Sequence, residues 1–219
     1  MGDALMIEPL AVSGSLAASL SLLGKRGPKQ LYGKGARELL DRSCLGFLCS
    51  ARSPGEAILA AYEVSRRLDV AGQPVLGGFH SPMEKQFLEI LLVRHVPAVV
   101  CVPRPLAGMR IPLPWRKAME EGRLLVVSAS IEGNRRFSRP MAEMRNVLVG
   151  AVADPLFVPY ATPGGSIEKL LTLCAGWGKR VLTVRCNEQQ VFRAAGAGII
   201  EEWLLAQGRR EPERRLVLV

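Results

Sequence analysis

The sequence predicts an α/β fold: a doubly wound, mainly parallel Rossmann-like sheet with helices on both faces. Three observations carry that expectation. From Cys44 onward short apolar runs alternate with helical patterns, the order that builds parallel sheets with right-handed crossovers. The runs are rich in Val and Leu without strict polar alternation, as strands covered on both faces are. A length of 219 residues with 48% hydrophobic and 22% charged side chains suits one domain with a modest extension and a sizeable core.

Taken in order, residues 1–38 read as an N-terminal extension with a short helix near Leu16–Leu23, broken by "GKRGP". Its start lacks a basic n-region, and Glu8 and Pro9 interrupt it early. Its apolar run falls short of the roughly 18–20 residues that cross a bilayer, so neither a signal peptide nor a membrane span is expected. Residues 39–207 carry the Rossmann-like domain. Its expected strands are 45–49, 74–76, 98–102, 124–128, 156–160 and 181–184. In the first helix Ile58, Ala61, Tyr62, Ser65 and Leu68 share one stripe, with Arg66 and Arg67 off it. In the second, Phe87, Leu88, Leu91 and Leu92 do the same. Residues 208–219 form a basic tail or one late strand.

Two stretches, Ser53-Pro54-Gly55-Glu56 and Ser81-Pro82-Met83-Glu84, each have the pattern of a helix start: serine as N-cap, proline in the first turn, glutamate closing a capping box. Just ahead of them lie residues that capping does not explain. Ser50, Ala51 and Arg52, adjoining Ser53, end the first strand, and Gly77, Gly78 and Phe79 end the second. The fifth strand runs into "YATPGGSIEKLL", with Gly164, Gly165, Ser166 and, one turn in, Lys169. In an open parallel sheet all three turns fall at the carboxyl edge, beside helix N-termini that accept anions. The alternative for each glycine is a purely conformational role.

The net charge of +9 is unevenly spread: residues 94–146 hold ten Lys/Arg against four Asp/Glu. Arg104 and Arg110 follow the third strand. The loop after the fourth carries Arg135, Arg136, Phe137 and Arg139, a set suited to phosphate pairing and base stacking, or to a solvated loop whose phenylalanine packs on the core. Arg145 and Asn146 interrupt an apolar helix. A buried arginine is costly without a partner, so it must reach solvent or hold an anion or carboxylate.

Enzyme chemistry finds little support. There is no Ser/His/Asp set, nucleophile elbow or P-loop, and "GKGARE" has Glu38 where a dinucleotide fingerprint needs its third glycine. His80 and Glu84 form an acid–base pair at helical spacing or a locally bonded helix terminus. The five cysteines include no Cys-x-x-Cys pair and there are only two histidines, so no metal or cofactor is expected and the thiols read as reduced, in a cytoplasmic protein.

Together these segments resemble the DNA-processing protein A (DprA/Smf) family, within a superfamily that includes the LOG phosphoribohydrolases. "LYGKGARELL" looks like the family's lead-in, and "LGFLCSARSP" is similar to its first strand and turn. "QPVLGGFHSPMEKQFLEILL" stands where the family has its second strand and helix, and "EMRNVLVGAVADPLFVPYATPGGS" resembles its Arg-Asn helix and late loop. The order holds over roughly residues 30–207. The resemblance implies non-enzymatic binding of single-stranded DNA, a RecA-type recombinase as partner in recombination or DNA uptake, and self-association. It carries Ser50 and Arg52 onto a phosphate-binding turn, Gly77 and Gly78 onto the second-strand glycines, Arg145 and Asn146 onto a basic helix, and Gly165 and Ser166 onto a phosphate loop. The chain departs from the pattern at Cys49, where the family has glycine, and in "FHSPMEKQF", which lacks the family's acidic residue and following histidine. Phe137 lies eight residues before Arg145, further than the family's aromatic stands from its arginine, and no winged-helix domain is expected at the C-terminus. A nucleotide sensor or LOG-type enzyme is the alternative. However, "PGGSIEKLL" puts Leu171 where the LOG loop has its catalytic glutamate.

Overall fold

The computed structural model describes residues 6–69, 72–130, 138–185 and 189–208. Strand β1 (Glu8–Pro9), helix α1 (Gly14–Ser21) and strand β2 (Tyr32–Gly35) come first. The repeating unit follows: β3 (Leu45–Phe47), α2 (Gly55–Arg67), β4 (Val75–Gly77), α3 (Pro82–Val93), β5 (Ala98–Cys101), α4 (Leu113–Glu120) and β6 (Leu124–Ser128). The second half contributes α5 (Arg139–Val152), β7 (Leu156–Phe157), α6 (Ser166–Gly176), β8 (Val181–Thr183), α7 (Gln190–Ala194), β9 (Gly198–Ile199) and α8 (Ile200–Gly208).

The strands form one sheet in the order β1-β2-β6-β5-β4-β3-β7-β8-β9. All neighbours from β6 to β9 are parallel, and only the β1–β2 and β2–β6 ladders are antiparallel. The expected α/β class and mainly parallel sheet are therefore what the chain adopts. Helices cover both faces because both strand faces are apolar. Leu76, Val99 and Leu125 pack with α1, α5 and α6, whereas Val75, Val100 and Val126 pack with α2, α3, α4 and α8. Fully burying side chains of this size contributes about 1.5–3 kcal/mol each. On the second face Phe47 stacks on Phe87 with ring centroids 3.8 Å apart. Among the described residues no helix is long and apolar enough to cross a membrane.

The N-terminal segment shares this sheet. Gly33 pairs with Val127 and Lys34 with Val126, and Leu10, Leu16 and Leu31 are buried in the α1/α5/α6 face. "YGKG" carries little strand propensity. It is held extended by the free edge of β6 rather than by its own residues.

The two Ser-Pro-x-Glu units behave differently. Ser81 caps α3, its Oγ accepting from the Glu84 N–H at 3.2 Å while Glu84 answers the Ser81 N–H at 2.9 Å. The first unit is not a capping box. Helix α2 has Pro54 at its N-cap with no side-chain bond, and the Ser53 hydroxyl donates to the Ser50 carbonyl at 2.8 Å instead. The tight turn after β3 claims the serine before the helix can.

Strands β3 and β7 end two or three residues earlier than expected. They are neighbours, but β3 leads to α2 on one face and β7 to α6 on the other. The connections that leave their carboxyl ends part to opposite faces of the sheet, the switch point at which open sheets of this kind form a crevice.

Candidate nucleic-acid interface at the switch point

That crevice is an open cleft of about 850 Å³. One wall is the turn after β3, with Ser50, Ala51 and Arg52. Beside it is the turn after β7, with Thr162, Gly165 and Ser166. Arg139, Arg145 and Asn146 of α5 and His80, Ser81 and Glu84 at the head of α3 complete it.

The two turns are bonded to each other. Ser50 Oγ accepts from the Thr162 N–H at 2.8 Å, and the Ser50 N–H donates to the Tyr160 carbonyl at 3.2 Å. Ser50 is thus buried and bridges two loops more than one hundred residues apart in sequence. Arg52, beside it, is exposed. Gly164, with φ +72°, makes the bend before α6. Its N–H donates to Glu168 Oε2 at 2.7 Å, so a carboxylate of the same helix answers that donor.

Glu84 does more than cap α3. Its Oε1 accepts from the Cys49 N–H at 3.1 Å, and its Oε2 takes the His80 N–H at 3.0 Å as well as that of Ser81. Three main-chain donors from two adjacent turns converge on one carboxylate that is 4% exposed. The glutamate answers the main chain of His80 at the helix terminus, the locally bonded arrangement. At this point an anion from outside meets an occupied seat.

Arg145 supplies the opposite charge. It is 7% exposed, and among the described residues its Nε and Nη1 find no acceptor and the buried Oδ1 of Asn146 finds no donor. Burial pulls the Arg145 pKa below its usual value, and the nearby Glu84 carboxylate offsets part of that pull. The guanidinium lies against the backbone of Gly78, where a Cβ would overlap it. At the mouth, Arg139 pairs with Glu143 at 2.9 Å on its own helix and remains largely exposed. Cys49, where the related pattern has glycine, is buried, and burial pushes its thiol up to about 12. The sulfur therefore stays protonated and offers no nucleophile.

The structure brings Ser50, Arg52, Arg145, Asn146, Gly165 and Ser166 to one cleft. It does not bring Ser53, Gly77, Gly78, Gly164 or Lys169 there. Ser53 serves the turn, Gly77 is buried against the Phe47 carbonyl and the Phe79 ring, and Gly78 makes room for Arg145. Gly164 and Lys169 stand outside the cleft lining. Arg135, Arg136, Phe137 and the tail from residue 209 lie outside the described residues. Sequence reasoning gave Glu84 a capping box or a pairing with His80 but not its bond to the Cys49 N–H, and it passed over Thr162. The capping-box pattern of Glu84 concealed its reach to Cys49, and Thr162 contributes through its backbone, which leaves no sequence signal.

The described residues define a Rossmann-like domain with an arginine-bearing cleft at the reversal of its winding. No protein-family model matches the chain, and no curated protein matches it by sequence. Solved structures do. DNA processing protein A from Helicobacter pylori, described with a single-stranded DNA binding mode, aligns with a TM-score of 0.73 at 19% identity over 96% of this chain and 99% of its own. DNA processing protein A from Streptococcus pneumoniae aligns with a TM-score of 0.67 at 12% identity, over 92% of this chain and 69% of its own. At such identities the likeness establishes the fold: this is a DprA-like Rossmann domain.

Proposed function

We propose that the chain is a DNA-processing protein that binds single-stranded DNA in the cleft at the carboxyl ends of β3 and β7, without catalysing a reaction on it. The observation that carries this reading is Arg145: buried, charged, and with two guanidinium nitrogens unanswered beside an open cleft. A phosphate would supply the missing acceptors, and charge-assisted bonds to Arg are among the stronger ones proteins make. Arg52 and Arg139 add cations at the cleft, and Ser166 at the head of α6 lines it as well, while the Gly165 N–H is held by the Thr162 carbonyl. The Helicobacter pylori protein of the same fold is described as a single-stranded DNA binder, which supports the same ligand class here.

The test is a salt titration of fluorescent oligo-dT by anisotropy. Affinity should fall as a power of salt concentration, with a slope of about 0.7 per phosphate contacted. Absence of binding at low salt, or a slope no steeper than one contact gives, counts decisively against the reading.

The same reading includes self-association, a cytoplasmic setting and delivery of the bound strand to a RecA-type recombinase. Light scattering tests the first, and recombinase filament formation on strands coated with this protein tests the last. The competing reading is a nucleotide sensor, favoured by a cleft volume in the range that small ligands fill. Thermal stabilisation by a mononucleotide but not by oligo-dT would favour it. LOG-type hydrolysis is disfavoured, because Leu171 at the glutamate position is fully buried in the core.

A further inference from the structure

A second concavity, of about 580 Å³, opens beside the cleft between α3 and α4, under the turns after β4 and β5. His80 lines both, so the two adjoin along the carboxyl edge. Its chemistry is different from that of the cleft. Phe79, Leu88, Val100, Met109 and Trp115 give it an apolar lining, and Lys85, Arg104 and Arg110 line it too, with Glu89 the acid among the described lining residues.

The β5–α4 loop that carries the two arginines is tied in place. Ser128 Oγ donates to the Arg104 carbonyl at 2.7 Å, the Leu106 N–H reaches the Ser130 carbonyl at 3.3 Å, and Leu106 is 1% exposed. At the junction Phe79 has φ +46°, a left-handed conformation that a bulky residue rarely takes. That conformation accompanies a buried Phe79 ring and an exposed His80 between the two concavities. Backbone held in such a region concentrates at ligand sites.

Resting on the assignment of the main cleft to single-stranded DNA, we propose that this groove seats the neighbouring nucleotide of the same strand, with its base against the Trp115 indole and its phosphate between Arg104 and Arg110. An indole offers a stacking face to any base, and the flanking guanidinium groups complement the backbone charge. The contact is sequence-tolerant, since every base has such a face.

The experiment uses the full chain with a fluorescent 20-mer of dT and a 20-mer of abasic deoxyribose phosphate. Trp115→Ala should weaken oligo-dT binding about 5- to 100-fold and leave the abasic strand's affinity unchanged. Trp115→Phe, which keeps a ring, should hold affinity near wild type while abolishing the quenching of tryptophan emission by dT. Trp177→Phe should keep that quenching. The double change Arg104→Ala, Arg110→Ala should weaken both strands and lower the salt slope. If the wild type binds strand and responds to Arg52→Ala yet ignores Trp115→Ala, the groove assignment is overturned while the main cleft stands. If the wild type binds no strand at low salt, both fall.

Discussion

The Arg145 guanidinium lies against the backbone of Gly78, in space that any side chain at position 78 would fill. The glycine directly follows β4, and the arginine reaches it from α5. This contact explains how a cation can be buried beside the cleft without leaving its helix. It also gives Gly78 a function that differs from a phosphate seat.

Gly78→Ala should displace the guanidinium at a small cost in stability, below the ~1–3 kcal/mol of overfilling a rigid core, because what meets the new Cβ is the far end of a flexible side chain. Urea denaturation should show a lower midpoint with an unchanged slope. Oligo-dT affinity, measured on the folded variant, should fall with it.

Glu84→Gln keeps the size of the side chain but replaces one acceptor oxygen with a donor. At least one of the Cys49, His80 and Ser81 N–H groups then loses its partner, and Arg145 loses its nearest opposing charge. Leaving a buried donor unanswered costs about 1–3 kcal/mol. Loss of stability by thermal unfolding is the expected outcome, and an unchanged midpoint would contradict the bonding described.

Ser50→Ala removes the acceptor for the Thr162 N–H, one of the bonds that tie the turn after β3 to the turn after β7. Stability should drop by about 1 kcal/mol. Amide exchange at Thr162 should accelerate more than exchange in the centre of α3, which the change does not touch.

Arg52→Ala should lower the salt slope for oligo-dT by about 0.7, one phosphate contact. Lys169→Ala should leave it where it was, since Lys169 stands outside the cleft lining. Equal effects from both would mean that the strand follows a different path.

The buried thiols give a pH dependence. Burial pushes Cys44, Cys49 and Cys101 each up to about 12 from 9.0. Between these values the unfolded chain gives up protons that the folded chain keeps. The unfolded state then binds fewer protons, and stability should decline as pH rises from about 9 toward about 12. At pH 8, iodoacetamide should leave the peptides bearing these three residues unmodified until denaturant is added.

Much of the fold was legible in the chain because both faces of a parallel sheet must be apolar. Runs such as "LLVVS" and "AVVC" announce themselves by composition. Strand β2 did not, since "YGKG" is extended only because β6 offers it a partner. The two Ser-Pro-x-Glu units were indistinguishable locally; one caps its helix and the other yields its serine to a tighter turn. Of the candidate site, Ser50, Arg52, Arg145 and Asn146 could be found from the strand-to-helix turns and from a charge inside an apolar helix. The reach of Glu84 to Cys49 could not.

By itself, then, the sequence determined the layered α/β architecture, the placing of its turns at one edge and the concentration of positive charge, all consequences of local pattern and composition. The tertiary structure alone decided which of those turns face one another, that Glu84 answers three main-chain donors, and that Arg145 needs Gly78. Those outcomes depend on distances between segments 35 to more than 100 residues apart, and such distances are fixed only when the sheet winds in both directions from β3 and β7.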